Sequence, residues 1–160
     1  MALVIDLADA IAGLLNAAEI PGLPTVRRSY PDWDDKFSDL KDVAVDVVFV
    51  SSENNMVELD GYSTQKTDVA YDVAIRKRFV SADKGSVGRV ENAAVDAMLA
   101  LLEQVQRVLC QARDEEISLT GGSVANWLSA SVRTYCDYQR LREGIYLGVL
   151  RVRYQLHMEA

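Results

Sequence analysis

The sequence is short of nearly everything from which active sites are usually built. Its 160 residues contain a single histidine, His157, and two cysteines, Cys110 and Cys136. A lone histidine close to the last residue excludes Ser-His-Asp and Cys-His arrangements, which hold an imidazole between a nucleophile and an orienting group. The cysteines form neither a C-x-x-C pair nor a spaced set of metal ligands. They are expected as buried, reduced thiols in a domain large enough to fold without a disulfide. No G-x-x-x-x-G-K-S/T, G-x-G-x-x-G or G-x-S-x-G is present, which removes the glycine loops that cradle phosphate or expose a serine. Gly121-Gly122-Ser123 reads as a turn. No apolar run reaches the roughly 20 residues of a membrane-spanning helix. Asp6 and Asp9 stand where a signal peptide would be apolar, so the expected location is the cytoplasm or whatever is assembled there.

Positive charge is also scarce. There are 17 basic residues against 24 acidic ones, a net charge of −7, and the longest basic clusters are only Arg27-Arg28 and Arg76-Lys77-Arg78. A field of this sign repels a phosphate backbone, so nucleic-acid binding is excluded unless a basic face is segregated. What is present is ordinary for a soluble domain: 49% apolar, 26% charged and 8% aromatic residues, with a mean hydropathy of −0.01. No repeat, low-complexity tract or shift in composition divides the chain, and residues 1–160 read as one domain.

The periodicity predicts a helix over residues 3–19, with Val4, Leu7, Ala8, Ile11, Leu14, Leu15 and Ala18 on one face. Pro21, Gly22 and Pro24 end it, and a short strand over 25–30 leads to a turn at Pro31-Asp32. The β-branched run over 43–51 and the alternating run over 67–79 read as antiparallel neighbours. Between them Ser52 to Lys66 reads as a loop too long for a tight hairpin, and its apolar residues Met56, Val57, Leu59 and Tyr62 call for a partner surface. From Val87 to Ala112 apolar residues recur at steps of three and four, describing one helix about 40 Å long. Strands return over 117–119, 130–138 and 145–158, the last with Arg151, Arg153, Gln155 and His157 on the side away from its apolar residues. The expected fold is α+β, an antiparallel or mixed sheet of about five strands packed against one long and one N-terminal helix.

Two groupings of carboxylates are candidates for chemistry. Asp32, Asp34 and Asp35 suit a hard cation, but they lack the glycine and glutamate of a calcium loop, and aspartates in this setting also make turns. Asp46 and Asp72 each interrupt an apolar strand. Two acids on neighbouring strands suit an acid–base pair, whereas the plainer account places them on an exposed parity or pairs them with Arg76 or Arg78. Trp33 and Trp127 sit among polar residues in segments that read as turns, either as interface anchors or as lids on the core.

A family resemblance is carried by three stretches: the helix Ile5 to Ala18; Val26-Arg27-Arg28-Ser29-Tyr30-Pro31 leading through Phe37-Ser38-Asp39-Leu40-Lys41-Asp42 into Val43-Ala44-Val45-Asp46-Val47-Val48; and Tyr71-Asp72-Val73-Ala74-Ile75-Arg76-Lys77-Arg78. Together with the long helix and a closing strand ending Val149-Leu150-Arg151-Val152-Arg153-Tyr154, the layout resembles the tail terminator (tail-completion, or neck) proteins of long-tailed bacteriophages. The resemblance implies a non-enzymatic virion protein, assembled in the host cytoplasm, that forms a hexameric ring. The ring caps the head-proximal end of the tail tube, ends tube polymerisation and joins the tail to the head connector. Its implied partners are further copies of itself, the tail tube protein and the connector proteins, with genomic DNA passing through the lumen without specific binding. No cofactor, metal or catalytic residue is implied. Expected interface residues, inferred from exposure, are Trp33, Asp34, Asp35, Met56, Val57, Leu59, Tyr62, Arg76, Arg78 and Trp127. Two alternatives stand beside the ring protein. One is a small metal-dependent hydrolase using Asp32, Asp34 and Asp35 with Asp46 or Asp72. The other is an acidic cytoplasmic module that binds another protein.

Overall fold

The computed structural model describes residues 2–29, 42–59, 62–80, 83–85 and 89–158, with the backbone alone at 54–59, 62–65 and 158. The fold is α+β. In chain order the elements are α1 (Leu3–Ala17), β1 (Arg27–Ser29), β2 (Ala44–Leu59), β3 (Tyr62–Arg78), α2 (Asn92–Gln111), β4 (Ile117–Ser118), β5 (Val124–Thr134), α3 (Tyr138–Arg142) and β6 (Ile145–Met158). Six strands form one mixed sheet in the order β1-β2-β3-β6-β5-β4, in which β1 runs parallel to β2 and every other pair is antiparallel.

Strand periodicity and helix periodicity meet on one face of this sheet. Val45 and Val47 of β2, Val69, Tyr71, Val73 and Ile75 of β3, and Leu150, Val152, Tyr154 and Leu156 of β6 share a buried layer. Onto it pack Leu7, Ile11 and Leu15 of α1 and Met98, Leu102, Val105 and Leu109 of α2, each at the three- and four-residue steps of a helix stripe. The opposite side of α2, with Asp96, Glu103 and Arg107, is exposed.

Polar contacts fix how the layers sit. The Tyr71 hydroxyl donates to the Val4 carbonyl at 2.6 Å, pinning the first turn of α1 to the middle of the sheet. At the other end of α1, Asn16 donates to the Val26 carbonyl at 3.0 Å and accepts from the Val26 amide at 2.7 Å, so one side chain imitates a strand partner and aims the chain into β1. The Tyr146 hydroxyl reaches the Tyr135 carbonyl at 2.6 Å by lying along its own strand over Gly148. A methyl group at 148 would stand 2.6 Å from that hydroxyl and 3.1 Å from the ring, so only glycine fits beneath the tyrosine.

Several expectations need correction. The stretch Ser52 to Lys66 is not a loop: β2 and β3 run through it in register, from Ser52 opposite Val69 to Leu59 opposite Tyr62. The polar run Ser51-Ser52-Glu53-Asn54-Asn55 hides the strand in the sequence, where Asp60-Gly61 is a hairpin signal that lies outside the described residues. The long helix begins at Asn92 and not Val87, because Val90 forms a β-bridge with Lys84 and the Gly85 amide bonds to the Arg89 carbonyl at 2.8 Å. Trp127 is in strand β5 and not in a turn. The strand expected over 130–138 lies over 124–134, and Tyr138 opens the short helix α3, capped by Asp137, which accepts from the amides of Gln139 and Arg140. Among the described residues the sheet therefore has six strands where about five were expected, and three α-helices accompany it.

Three buried tyrosines give the fold a measurable signature. Burial raises the phenols of Tyr71 and Tyr146 well above the usual 10.0, and burial together with the negative charge of Glu115 raises Tyr154 to about 12. Their unfolded counterparts ionise first, so stability is intact below pH 10.0 and falls as the pH climbs towards about 12; urea melts across that interval should show the decline. The three hydroxyls differ in another respect. Those of Tyr71 and Tyr146 are hydrogen-bonded, whereas that of Tyr154 is buried with no partner. Tyr71→Phe and Tyr146→Phe should each cost about 1 kcal/mol in urea unfolding, and Tyr154→Phe close to nothing, because it leaves no carbonyl unsatisfied.

Candidate functional site

The face of the sheet turned away from α1 and α2 is where the strands place their charges. Asp72 and Arg151 are directly opposite on β3 and β6, and the guanidinium grips the carboxylate through Nε at 2.9 Å and a terminal nitrogen at 3.2 Å. Asp46 of β2 takes a 2.5 Å bond from Arg76, which lies diagonally across on β3 beyond its direct partner Ala74. Further along, Gln155 donates to Asp68 at 3.2 Å. Asp46 and Arg76 are only 7% exposed, and the neighbouring Val48 and Ala74 are buried as well, so this is a paired charge layer inside the fold, with the Arg76 Nε left without a hydrogen-bond partner.

Each strand aspartate has an arginine beside it. Asp46 pairs with Arg76, as the plainer account has it, while Asp72 takes Arg151 in place of Arg78. Each acid thus bonds an arginine of its own, and the two do not bond each other. Arg76 is consequently buried and has no surface to give a partner, whereas Arg78, at the end of β3, is exposed.

The remaining expected interface residues fall into three groups. Trp33, Asp34 and Asp35, with Asp32, lie outside the described residues. Among the described residues, no three His, Cys, Asp or Glu side chains gather as metal ligands. Met56, Val57, Leu59 and Tyr62 come together on one β-ribbon. Among the described residues β6 accompanies β3 as far as the Gln65–Met158 pair, and Val57 opposite Thr64, Glu58 opposite Ser63 and Leu59 opposite Tyr62 lie beyond it. On its outer side β2 pairs with β1 only at Asp46, Val47 and Val48, and from Phe49 to Leu59 that edge meets no other described strand. Trp127 is half-buried against the core, opposite Tyr154, and its indole N–H is buried without an acceptor.

Cys110 and Cys136 are unpaired and half-buried. Burial and the negative charge of Asp137 push the Cys136 thiol up, which disfavours the reactive thiolate. No described helix is long and apolar enough to cross a membrane. One groove stands apart from these features, between the Lys84–Val90 bridge and α3. Nothing in the sequence singled it out, because its residues come from segments some 50 positions apart and share no motif.

Comparison with known proteins returned no family model and no curated protein that matches the chain.

The two ion pairs should differ sharply in cost. Asp46→Ala strips a buried guanidinium of its carboxylate and should destabilise by about 3–5 kcal/mol. Asp72→Ala, in a pair with side chains 25% and 19% exposed, should cost about 1 kcal/mol. Urea midpoints of the two variants at neutral pH measure the difference.

Proposed function

We propose that the chain is a structural subunit of a phage neck. In this account, copies form a hexameric ring that caps the head-proximal end of a tail tube, ends its polymerisation and joins it to the connector. The observation that carries this is the β2–β3 ribbon. A two-stranded extension is marginal in water on its own, and this one carries Met56, Val57, Leu59 and Tyr62 along a strand whose outer edge, among the described residues, meets no other strand from Phe49 onward. A ribbon that reaches past its own sheet and lies against the next copy makes a heterologous contact, the kind that closes into rings. The resemblance of the element order to tail terminators supports the same account, as does the engagement of Asp46 and Asp72 with arginines. A net charge of −7 suits a lumen past which DNA slides without sticking.

The test is assembly. Mass measurement in solution and negative-stain images, with and without purified tail tubes, should show six-membered rings free or seated on tube ends. Val57→Asp and Leu59→Asp should abolish the rings, and the melting temperature of each variant subunit, measured alongside, separates lost assembly from lost folding. A chain that stays monomeric and ignores tube ends would end the proposal.

A further inference from the structure

The end of the molecule where β3 finishes and β6 begins carries an open groove of about 660 Å³. Val90 and Leu141 supply apolar, half-buried lining, and Gly144, at φ +80°, turns the chain from α3 into β6. The Lys84 ammonium lies beside Gly144, 3.7 Å from where a methyl group on that residue would stand. Arg89 and Arg142 line the same groove, and Tyr138, 72% exposed, stands beside them.

The neighbouring carboxylates are otherwise engaged. Glu143, the one acid among the lining residues, faces Arg140 at 3.7 Å. Asp83 accepts from the Val80 amide at 3.0 Å, and Asp137 caps α3. The Glu91 carboxylate lies against Gly85, where it would stand 2.8 Å from an added methyl group. Among the described residues, none of Lys84, Arg89 and Arg142 has a carboxylate within ion-pair distance. In a chain of net charge −7, three uncompensated cations around a concavity stand out as a site for an anionic partner.

An exposed acidic group lies on the same chain at the other end of α2. The turn from the last residues after α2 into β4 presents Asp114, Glu115 and Glu116, all exposed. Their only described ion pair is a loose 3.8 Å contact between Asp114, 91% exposed, and the adjoining Arg113. The 20 residues of α2 lie between groove and turn and hold them about 30 Å apart, so the two cannot meet within one molecule.

We infer that the groove formed by Lys84, Arg89 and Arg142 receives the acidic turn 114–116 of a second copy, joining subunits head to tail. The inference rests on the self-assembly proposed above and adds to it a second contact surface, separate from the β2–β3 ribbon. Guanidinium forks suit carboxylates, and the apolar lining takes the stems of glutamates. An acidic protein segment is a better occupant than a nucleic acid, whose long row of phosphates would meet only three cations here before facing the negative remainder of the chain.

Charge exchange tests it directly. One variant carries Lys84→Glu, Arg89→Glu and Arg142→Glu; the other carries Asp114→Lys, Glu115→Lys and Glu116→Lys. All six positions are exposed, so both variants should melt close to wild type. Each alone should lose at least about tenfold in association constant by sedimentation, and an equimolar mixture should recover the wild-type assembly through alternating copies. Wild-type association should weaken as NaCl rises from about 0.05 M to about 0.5 M. If a triple variant melts early, Arg89→Gln with Arg142→Gln gives the same readout with less perturbation. Assemblies unchanged in both variants would overturn the groove contact while leaving the ribbon-built ring in place. A wild-type chain that never associates, alone or on tube ends, would overturn the ring and the groove contact together. Binding of a short DNA duplex, lost in the groove variant while association is unaffected, would also overturn the groove contact.

Discussion

Long strands impose a constraint on this fold that short ones escape. Side chains alternate across a sheet, so for every residue that β2, β3 and β6 send beneath the helices, another is sent to the far side. With 16, 17 and 14 residues in these strands, the far side is too large to be left as scattered polar groups. The chain meets the constraint with cross-strand charge matching: Asp72 faces Arg151, Asp46 reaches Arg76, and Asp68 takes Gln155. Each match depends on register, because a slip of one residue would set carboxylates among the aliphatic side chains beneath α1 and α2. The charge layer therefore specifies the alignment of the strands on which the apolar layer depends.

The same matching sets Asp46 and Asp72 each against an arginine, while burial and the charge of Asp137 push the Cys136 thiol up and disfavour its thiolate. Among the described residues, the features that face outward are edges and ends: a ribbon that β6 accompanies only in part, a flank of β2 that meets no other described strand from Phe49 onward, a groove lined by cations and an exposed turn of acids.

Where a single physical signal dominated, the elements were legible in the sequence. The stripe of α1, the alternation of Val69, Tyr71, Val73 and Ile75, and the alternation closing in Leu156 all correspond to buried layers. The second half of β2 was not legible, because the strand bulges between Phe49 and Ser51, which breaks the alternation just as polar residues begin. Val87 and Val90 extend the helical spacing of α2, but the bridge from Val90 to Lys84 takes the backbone groups a helix would need. Among the site features, the Asp46–Arg76 pair was anticipated from strand neighbours, whereas Arg151 as the partner of Asp72 depends on β6 lying beside β3 and not merely after it. The Asn16 bridge and the cationic groove were invisible for a related reason: each joins residues that no local pattern connects.

The seat of Tyr146 on Gly148 has a bearing on how this sheet can change over evolutionary time. The ring occupies the space that any side chain at 148 would need, and its hydroxyl holds the backbone at Tyr135. Neither position can drift alone without a clash or a void. Divergent descendants should therefore exchange the two together, keeping glycine wherever the aromatic persists and admitting a larger residue only once the ring has gone.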